Sequence, residues 1–540
     1  MLRSGSGSGT RRGELLRPGT CREHLLLQLA ADHPVGQVGP ARGTGCGPSR
    51  GAPDGDLPVE RDLLGQARVS RHDGWSAAAP KKRTIPRVPP LGLTPSRAVD
   101  RRPRPARTVF LAFAACGLLG TLLLLLPSAS TGARGATLVE ALFTAVSALC
   151  VTGLIVVDTP VFWTTFGQVV ILVLIQIGGF GVMTFASVIG IAVIRKLSLR
   201  SKLTAAAEVK SFGIEDVRTL VLSVVRISLM IEAVAAVILT LRFALAYGET
   251  WGDAVWLGVF HAVSSFNNAG FALYSDSLMS FSDDPVILLT ASGATVLGGV
   301  GFPVLMQLKK HLGTVRLWSM NTRIVVAATP LLLALGTLYI TALEWSNPET
   351  LGGMPPHLRI LNGFAMSAQT RTAGFNTVDT GAMDPATWVG MDLLMFIGGG
   401  PAGTAGGIKV TTFAVLFFLM LGELRGAGAV TVFGKRLSRA VHRQAITVIV
   451  LAAGLIVAAT IVIMLLTDLS LDVILFEVVS AFATVGLSTG ITADLPASAQ
   501  LILIVLMFIG RLGPITAATG LALRQRTLLY DLPKERPIIG

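Results

Sequence analysis

Four short stretches of this 540-residue chain have a pattern suited to holding a dehydrated cation. They are Cys150-Val151-Thr152-Gly153-Leu154, Asn267-Asn268-Ala269-Gly270-Phe271, Arg371-Thr372-Ala373-Gly374-Phe375 and Thr484-Val485-Gly486-Leu487. Each places a glycine before a large apolar residue. Ten positions before the glycine stands Phe143, Phe260, Phe364 or Phe476, and six before it Ser147, Ser264, Ala368 or Ser480. Four stretches in one register form an internal repeat. Glycine permits backbone angles that turn carbonyl oxygens inward. Four such strands about one axis can replace a cation's water shell. The expected lining is Val151, Thr152 and Gly153, then Asn268, Ala269 and Gly270, then Thr372, Ala373 and Gly374, then Thr484, Val485 and Gly486. Helix-packing glycines are the plain alternative, but they do not explain four shared phenylalanine offsets.

The elements that must position these strands are membrane helices. Hydrophobic residues make up 51% of the chain and charged residues 14%. From about residue 108, apolar runs long enough for a ~30 Å hydrocarbon core follow one another. Each glycine stretch ends a segment too short to span, which must enter and return from one side. The expected fold is therefore an all-α polytopic membrane protein. Four outer helix–pore helix–inner helix repeats surround a central pore, with boundaries at 108–200, 201–312, 313–430 and 431–530. The expected outer helices are 108–126, 220–247, 324–343 and 446–466. The pore helices are 137–149, 251–265, 357–368 and 471–483, and the inner helices 165–194, 285–308, 388–421 and 499–523. Each pore helix points the negative end of its dipole at the axis.

Residues 1–107 read as a disordered, basic, cytoplasmic tail, either an over-extended start or a lipid-contacting arm. Residues 531–540 read as a cytoplasmic C-terminal tail. The net charge of +13 lies in the first hundred residues and in alternate loops. The basic loops include Arg195, Lys196, Lys309, Lys310, Lys435 and Arg436, whereas the intervening loops carry acids such as Asp158, Asp284, Glu344 and Asp494. Positive residues stay inside, so the four stretches face outward and both termini are cytoplasmic. This distribution argues against a nucleic-acid partner. Four cysteines show no metal-ligand spacing, and the sequence lacks a nucleophile elbow or phosphate loop, so no cofactor and no enzymatic activity are expected.

Two features lie beyond the glycine strands. Every inner helix contains a glycine-rich interruption: Gly178-Gly179-Phe180-Gly181, Gly298-Gly299-Val300-Gly301, Gly398-Gly399-Gly400-Pro401 and Gly510-Arg511-Leu512-Gly513. The third extends through Gly403, Thr404, Gly406 and Gly407 to Lys409, too glycine-rich to remain helical. It reads as a mobile loop in the pore, with Lys409 as a possible anchor or a snorkelling side chain. Arg511 replaces the glycine at the position of Gly179, Gly299 and Gly399. An arginine inside an apolar helix faces water or a partner, so the expectation is a charge in the ion path, with a buried acid partner as the alternative. Glu140 and Glu477 read as partners of neighbouring backbone, and His261 as a packing residue. Arg226, Glu232 and Arg242 share one outer helix, with Arg242 near the outer surface.

These motifs resemble the Trk/Ktr/HKT superfamily of potassium transporters over roughly residues 108–530. Phe266 to Phe271, Arg371 to Asn376 and Ala483 to Gly490 are similar to the family's second, third and fourth filters. The resemblance implies potassium as the transported ion, because a glycine in all four filters accompanies potassium selectivity and a serine in the first accompanies sodium passage. It implies that the loop Gly398–Lys409 gates the path and that Arg511 lies under the filter. The absence of an extra helix pair makes the chain more similar to the eight-span Ktr-type membrane subunit. The resemblance further implies a homodimer in plasma-membrane lipid above a cytoplasmic nucleotide-binding regulatory ring. A sodium- or proton-coupled symporter with the same pore is the alternative.

Overall fold

Local signals start each pore helix where the sequence places it. Thr137 accepts a hydrogen bond from the Glu140 amide, and Glu140 reaches back to the Thr137 amide at 2.8 Å, a capping box opening Leu138–Cys150. Thr250 caps Trp251–Asn267. Proline at the first position opens Pro356–Thr370, and Ser470 precedes Leu471–Ala483. The computed structural model describes residues 105–132, 134–196, 214–426 and 430–513. Residues 1–104 of the N-terminal tail, the loop 197–213 and everything after Gly513 lie outside the described residues.

The outer helices are Pro105–Leu124, Ile214–Ala246, Met320–Leu343 and Arg439–Leu466. The inner helices begin at Thr165, Pro285, Pro385 and Ala497. Among the described residues, three helices are long and apolar enough to cross a membrane singly: Val221–Ala246, Met320–Ser346 and Arg439–Leu466. Pro285–Val300 and Phe302–His311, bent by 95° at Gly301, make a fourth when taken together as one broken span. The chain is a polytopic helical membrane protein.

The interruptions differ from expectation in an informative way. The first inner helix is not broken near Gly178; it runs from Thr165 to Lys196. Its glycines provide close approach instead. A Cβ on Gly178 would overlap the carbonyl oxygen of Leu149. The same overlap would arise between Gly298 and Phe266 and between Gly510 and Phe482. In these three repeats the inner helix crosses its pore helix against the same carbonyl, four residues before the filter glycine. The second inner helix breaks at Gly301 (φ 94°), which abuts Pro401 in the third repeat's loop. The third runs Pro385–Phe396 and resumes at Val410–Leu424, leaving 397–409 without helix. There the corresponding glycine, Gly398, meets Gly406 of its own loop.

Burial follows the repeat. Phe143, Phe260 and Phe476 are fully buried, while Phe364 is half-buried. Some loop acids are structural. Asp284 accepts from Arg242 Nε at 2.6 Å and from the Val286 amide at 2.9 Å. Burial works to raise the pKa of its carboxyl, but these partners outweigh it and hold the group below the ordinary carboxylate range. Glu344, which the sequence offered only as a loop charge, is buried and accepts from Asn347, Thr350, Thr387 and the Asp384 amide. It thereby ties the third outer helix to the start of the third inner helix. A two-stranded hairpin, Thr431–Val432 with Lys435–Arg436, joins repeats three and four through left-handed Phe433 and Gly434.

Candidate ion path

The last two residues of each strand meet in one ring: Thr152-Gly153, Ala269-Gly270, Ala373-Gly374 and Val485-Gly486. At the end of each pore helix a non-glycine residue takes a left-handed conformation: Val151 (φ 55°), Asn268 (φ 60°), Thr372 (φ 90°) and Thr484 (φ 51°). β-Branched residues rarely adopt this region, and such strain concentrates at functional sites. Two positions later come Gly153 (φ 92°), Gly270 (φ 70°), Gly374 (φ 78°) and Gly486 (φ 97°). A Cβ on Gly153 would overlap the carbonyl oxygen of Ala269. One on Gly270 would overlap that of Ala373, one on Gly374 that of Val485, and one on Gly486 that of Thr152. The contacts run from repeat one to two, three, four and back to one. Four backbones thus close on a common axis, too tightly for any side chain at the glycine.

The serine six residues back has a defined role in two repeats. The Gly153 amide donates to Ser147 Oγ at 3.2 Å, and the Gly486 amide to Ser480 Oγ at 3.1 Å. The third repeat has Ala368 there, and its Ala373 and Gly374 amides share the carbonyl of Gln369 at 3.0 and 3.1 Å instead. The side chains just before the ring differ in their partners. Asn268 bridges the Thr372 hydroxyl at 3.1 Å and the Thr404 hydroxyl at 2.8 Å. Among the described residues, the buried hydroxyls of Thr152 and Thr484 have no hydrogen-bond partner. On the far side of the ring lies a cavity of about 320 Å³, lined by the four glycines with Asp158 and Ser488.

The loop Gly398–Lys409 packs against the strands of repeats two and four, on the side away from the cavity. It folds on itself, with the Gly398 amide donating to Ile408 O at 2.8 Å and the Val410 amide to Gly399 O at 3.0 Å. The Gly400 amide donates to Gly299 O at 2.7 Å and the Thr404 amide to Gly298 O at 3.1 Å. Gly403 packs on these same two carbonyls. Thr404 Oγ1 also reaches Phe266 O at 3.2 Å. Gly406 lies against Ala483 and the Thr484 hydroxyl, and Gly407 (φ 63°) turns beside Ala483. Among the described residues Lys409 has no ion pair, and its ammonium donates to Ala405 O within the loop.

Arg511 is buried at 4% exposure. It donates through Nη1 to Thr404 O and through Nη2 to Gly178 O at 3.1 Å. Its recorded hydrogen-bond partners are backbone carbonyls rather than the acid allowed as an alternative. The guanidinium thus fastens the third repeat's loop to the first inner helix. His261 is a packing residue, with Nδ1 bonded to Leu257 O at 2.8 Å and Nε2 accepting from the Leu273 amide at 3.3 Å. Glu140 binds backbone as expected, but Glu477 accepts from the Thr492 hydroxyl. The sequence reading missed Gln176 and Asn267 as partners of Glu232, a contact across repeats that no local pattern announces.

Residues 101–527 match TrkH, a family described as cation transport proteins. The chain is 39% identical to Ktr system potassium uptake protein B of Vibrio alginolyticus over 436 residues, 80% of this chain and 94% of that one. It is 38% identical to the protein of that name from Bacillus subtilis over 416 residues, 76% of this chain and 92% of that one. It is 31% identical to potassium/sodium uptake protein NtpJ of Enterococcus hirae over 450 residues, covering 82% and 99%. The crystal structure of the potassium transporter TrkH from Vibrio parahaemolyticus superposes with a TM-score of 0.63 at 19% identity, over 77% of this chain and 84% of that one, and supports the fold. By its sequence this chain belongs to the TrkH family of cation transport proteins.

Proposed function

We propose that the closed ring of Gly153, Gly270, Gly374 and Gly486 is a potassium filter. The chain is a potassium-uptake protein and not an enzyme. The observation that supports the filter reading is the cyclic packing of each glycine against the next repeat's carbonyl. Such a ring offers oxygen ligands at a radius set by backbone, with no side chain to replace them. Two of the three relatives above are named for potassium alone, which favours potassium uptake over sodium- or proton-coupled symport.

The loop Gly398–Lys409 is the gate in this reading, because it occupies the end of the ring opposite the cavity. Arg511 is its latch and also a positive charge beneath the filter. The charge distribution supports an orientation with the cavity outward and both termini cytoplasmic in the plasma membrane. Kinship with Ktr membrane subunits supports a homodimer with a cytoplasmic nucleotide-binding regulatory ring. Tracer potassium uptake into potassium-deficient cells, with sodium varied outside, tests the assignment. Uptake is expected to follow potassium at every sodium level. Uptake of sodium in preference to potassium would overturn it.

A further inference from the structure

The second strand is supported by a buried acid of its own outer helix. Asn267, immediately before left-handed Asn268, is completely buried. Its side-chain amide donates to Gln176 Oε1 at 2.9 Å, Glu232 Oε1 at 3.0 Å and Val263 O at 2.9 Å. Gln176 donates to both Glu232 oxygens, at 3.1 and 2.9 Å. Glu232 is 4% exposed and lies near the middle of the second outer helix. The partners of its carboxylate are thus two amides, from the first inner helix and the second pore helix. Asn267 Oδ1, itself without a hydrogen-bond partner, fills the space that a Cβ on Gly179 would occupy. The corresponding positions in the other repeats are Cys150, Arg371 and Ala483, so this triad is particular to repeat two.

An acid in the apolar middle of an outer helix is costly and is retained where it has a function and partners. Here the partners converge on the residue where the pore helix gives way to the strand. Any rotation of Asn267 turns the backbone of Asn268, Ala269 and Gly270. That strand touches both neighbours, since Ala269 O packs on Gly153 and Gly270 packs on Ala373 O. A displacement therefore passes around the ring. We propose that Glu232 is a positioning residue for ion selectivity: through Gln176 and Asn267 it fixes the angle at which the second strand presents its carbonyl oxygens. This role rests on the reading of the ring as a selectivity filter.

The test uses purified full-length protein in proteoliposomes, with tracer potassium and sodium fluxes measured alongside melting in detergent. Glu232→Ala lowers the potassium-to-sodium flux ratio by roughly three- to tenfold, the change expected when a buried hydrogen bond is lost. Glu232→Gln, which keeps shape and one acceptor, lowers it less. Asn267→Ala lowers it comparably, and adding Glu232→Ala to that variant causes no further fall. An unchanged ratio in Glu232→Ala overturns the proposal, even with a lower melting temperature, because Glu232 then only stabilises. A further fall in the double variant overturns it too. If Glu232→Ala does not accumulate, the same ratio in Glu232→Gln decides. Gly153→Ser in parallel separates the two levels. If Gly153→Ser leaves the ratio unchanged, the filter reading fails. If only the Glu232 variants leave it unchanged, the positioning role fails.

Discussion

Arg511 on the fourth inner helix donates to the backbone carbonyl of Thr404, in the middle of the third repeat's loop. Its other terminal nitrogen holds Gly178 O on the first inner helix. One side chain thus spans repeats one, three and four at the base of the glycine ring. A charged hydrogen bond to a carbonyl in a dry site contributes about 1.5–3 kcal/mol, enough to hold a glycine-rich loop in one place. On the proposed reading, removing the side chain also takes a positive charge out of the ion path. Both effects favour ion passage.

Arg511→Gly is therefore expected to raise maximal potassium flux severalfold. Glycine matches the other three repeats at this position and adds no bulk. Flux in proteoliposomes, normalised to protein inserted, checks this. Lower thermal stability with no gain in flux would mean that Arg511 is only a structural tie.

Thr404→Val keeps the shape of the side chain and deletes its hydroxyl. The bonds to Phe266 O and Asn268 are lost, at about 1 kcal/mol each. Flux should rise, but by less than in Arg511→Gly, because the Thr404 carbonyl remains held. The order of the two variants in one flux assay is the discriminating result.

Deleting several glycines between Gly398 and Gly407 shortens the obstacle. Flux is expected to increase, since an obstacle leaves the proposed path. A well-folded deletion with unchanged or abolished flux would show that 397–409 is not a gate.

Gly153→Ser places a Cβ against Ala269 O at a backbone angle that side chains rarely adopt. The first strand must shift, and the potassium-to-sodium flux ratio should fall. Retention of full selectivity at normal expression would remove Gly153 from the filter.

Gly178→Ala tests the packing role that replaced the expected helix break. Its methyl would overlap Leu149 O, and overpacking of this kind costs about 1–3 kcal/mol. A lower detergent melting temperature is expected; an unchanged one would mean that the first inner helix has room to move.

The four short helices and the positive-φ glycines that follow them were legible in the sequence because they are local and periodic. Phenylalanine and glycine recur at fixed offsets, and Leu471–Ala483 has the bounds that its apolar run and flanking residues give it. The unusual backbone at the glycines also followed from residue type. What glycine is for at Gly178 did not. The same residue breaks a helix or lets another backbone approach, and only the position of Leu149 O decides. Arg511 could be placed at the pore by alignment, but its partner could not be named. That partner is a carbonyl, which every residue has, 107 positions away in sequence. Glu232, Gln176 and Asn267 were each visible as polar residues in apolar surroundings. Their meeting depends on the packing of three helices from two repeats, which no spacing along one chain segment encodes.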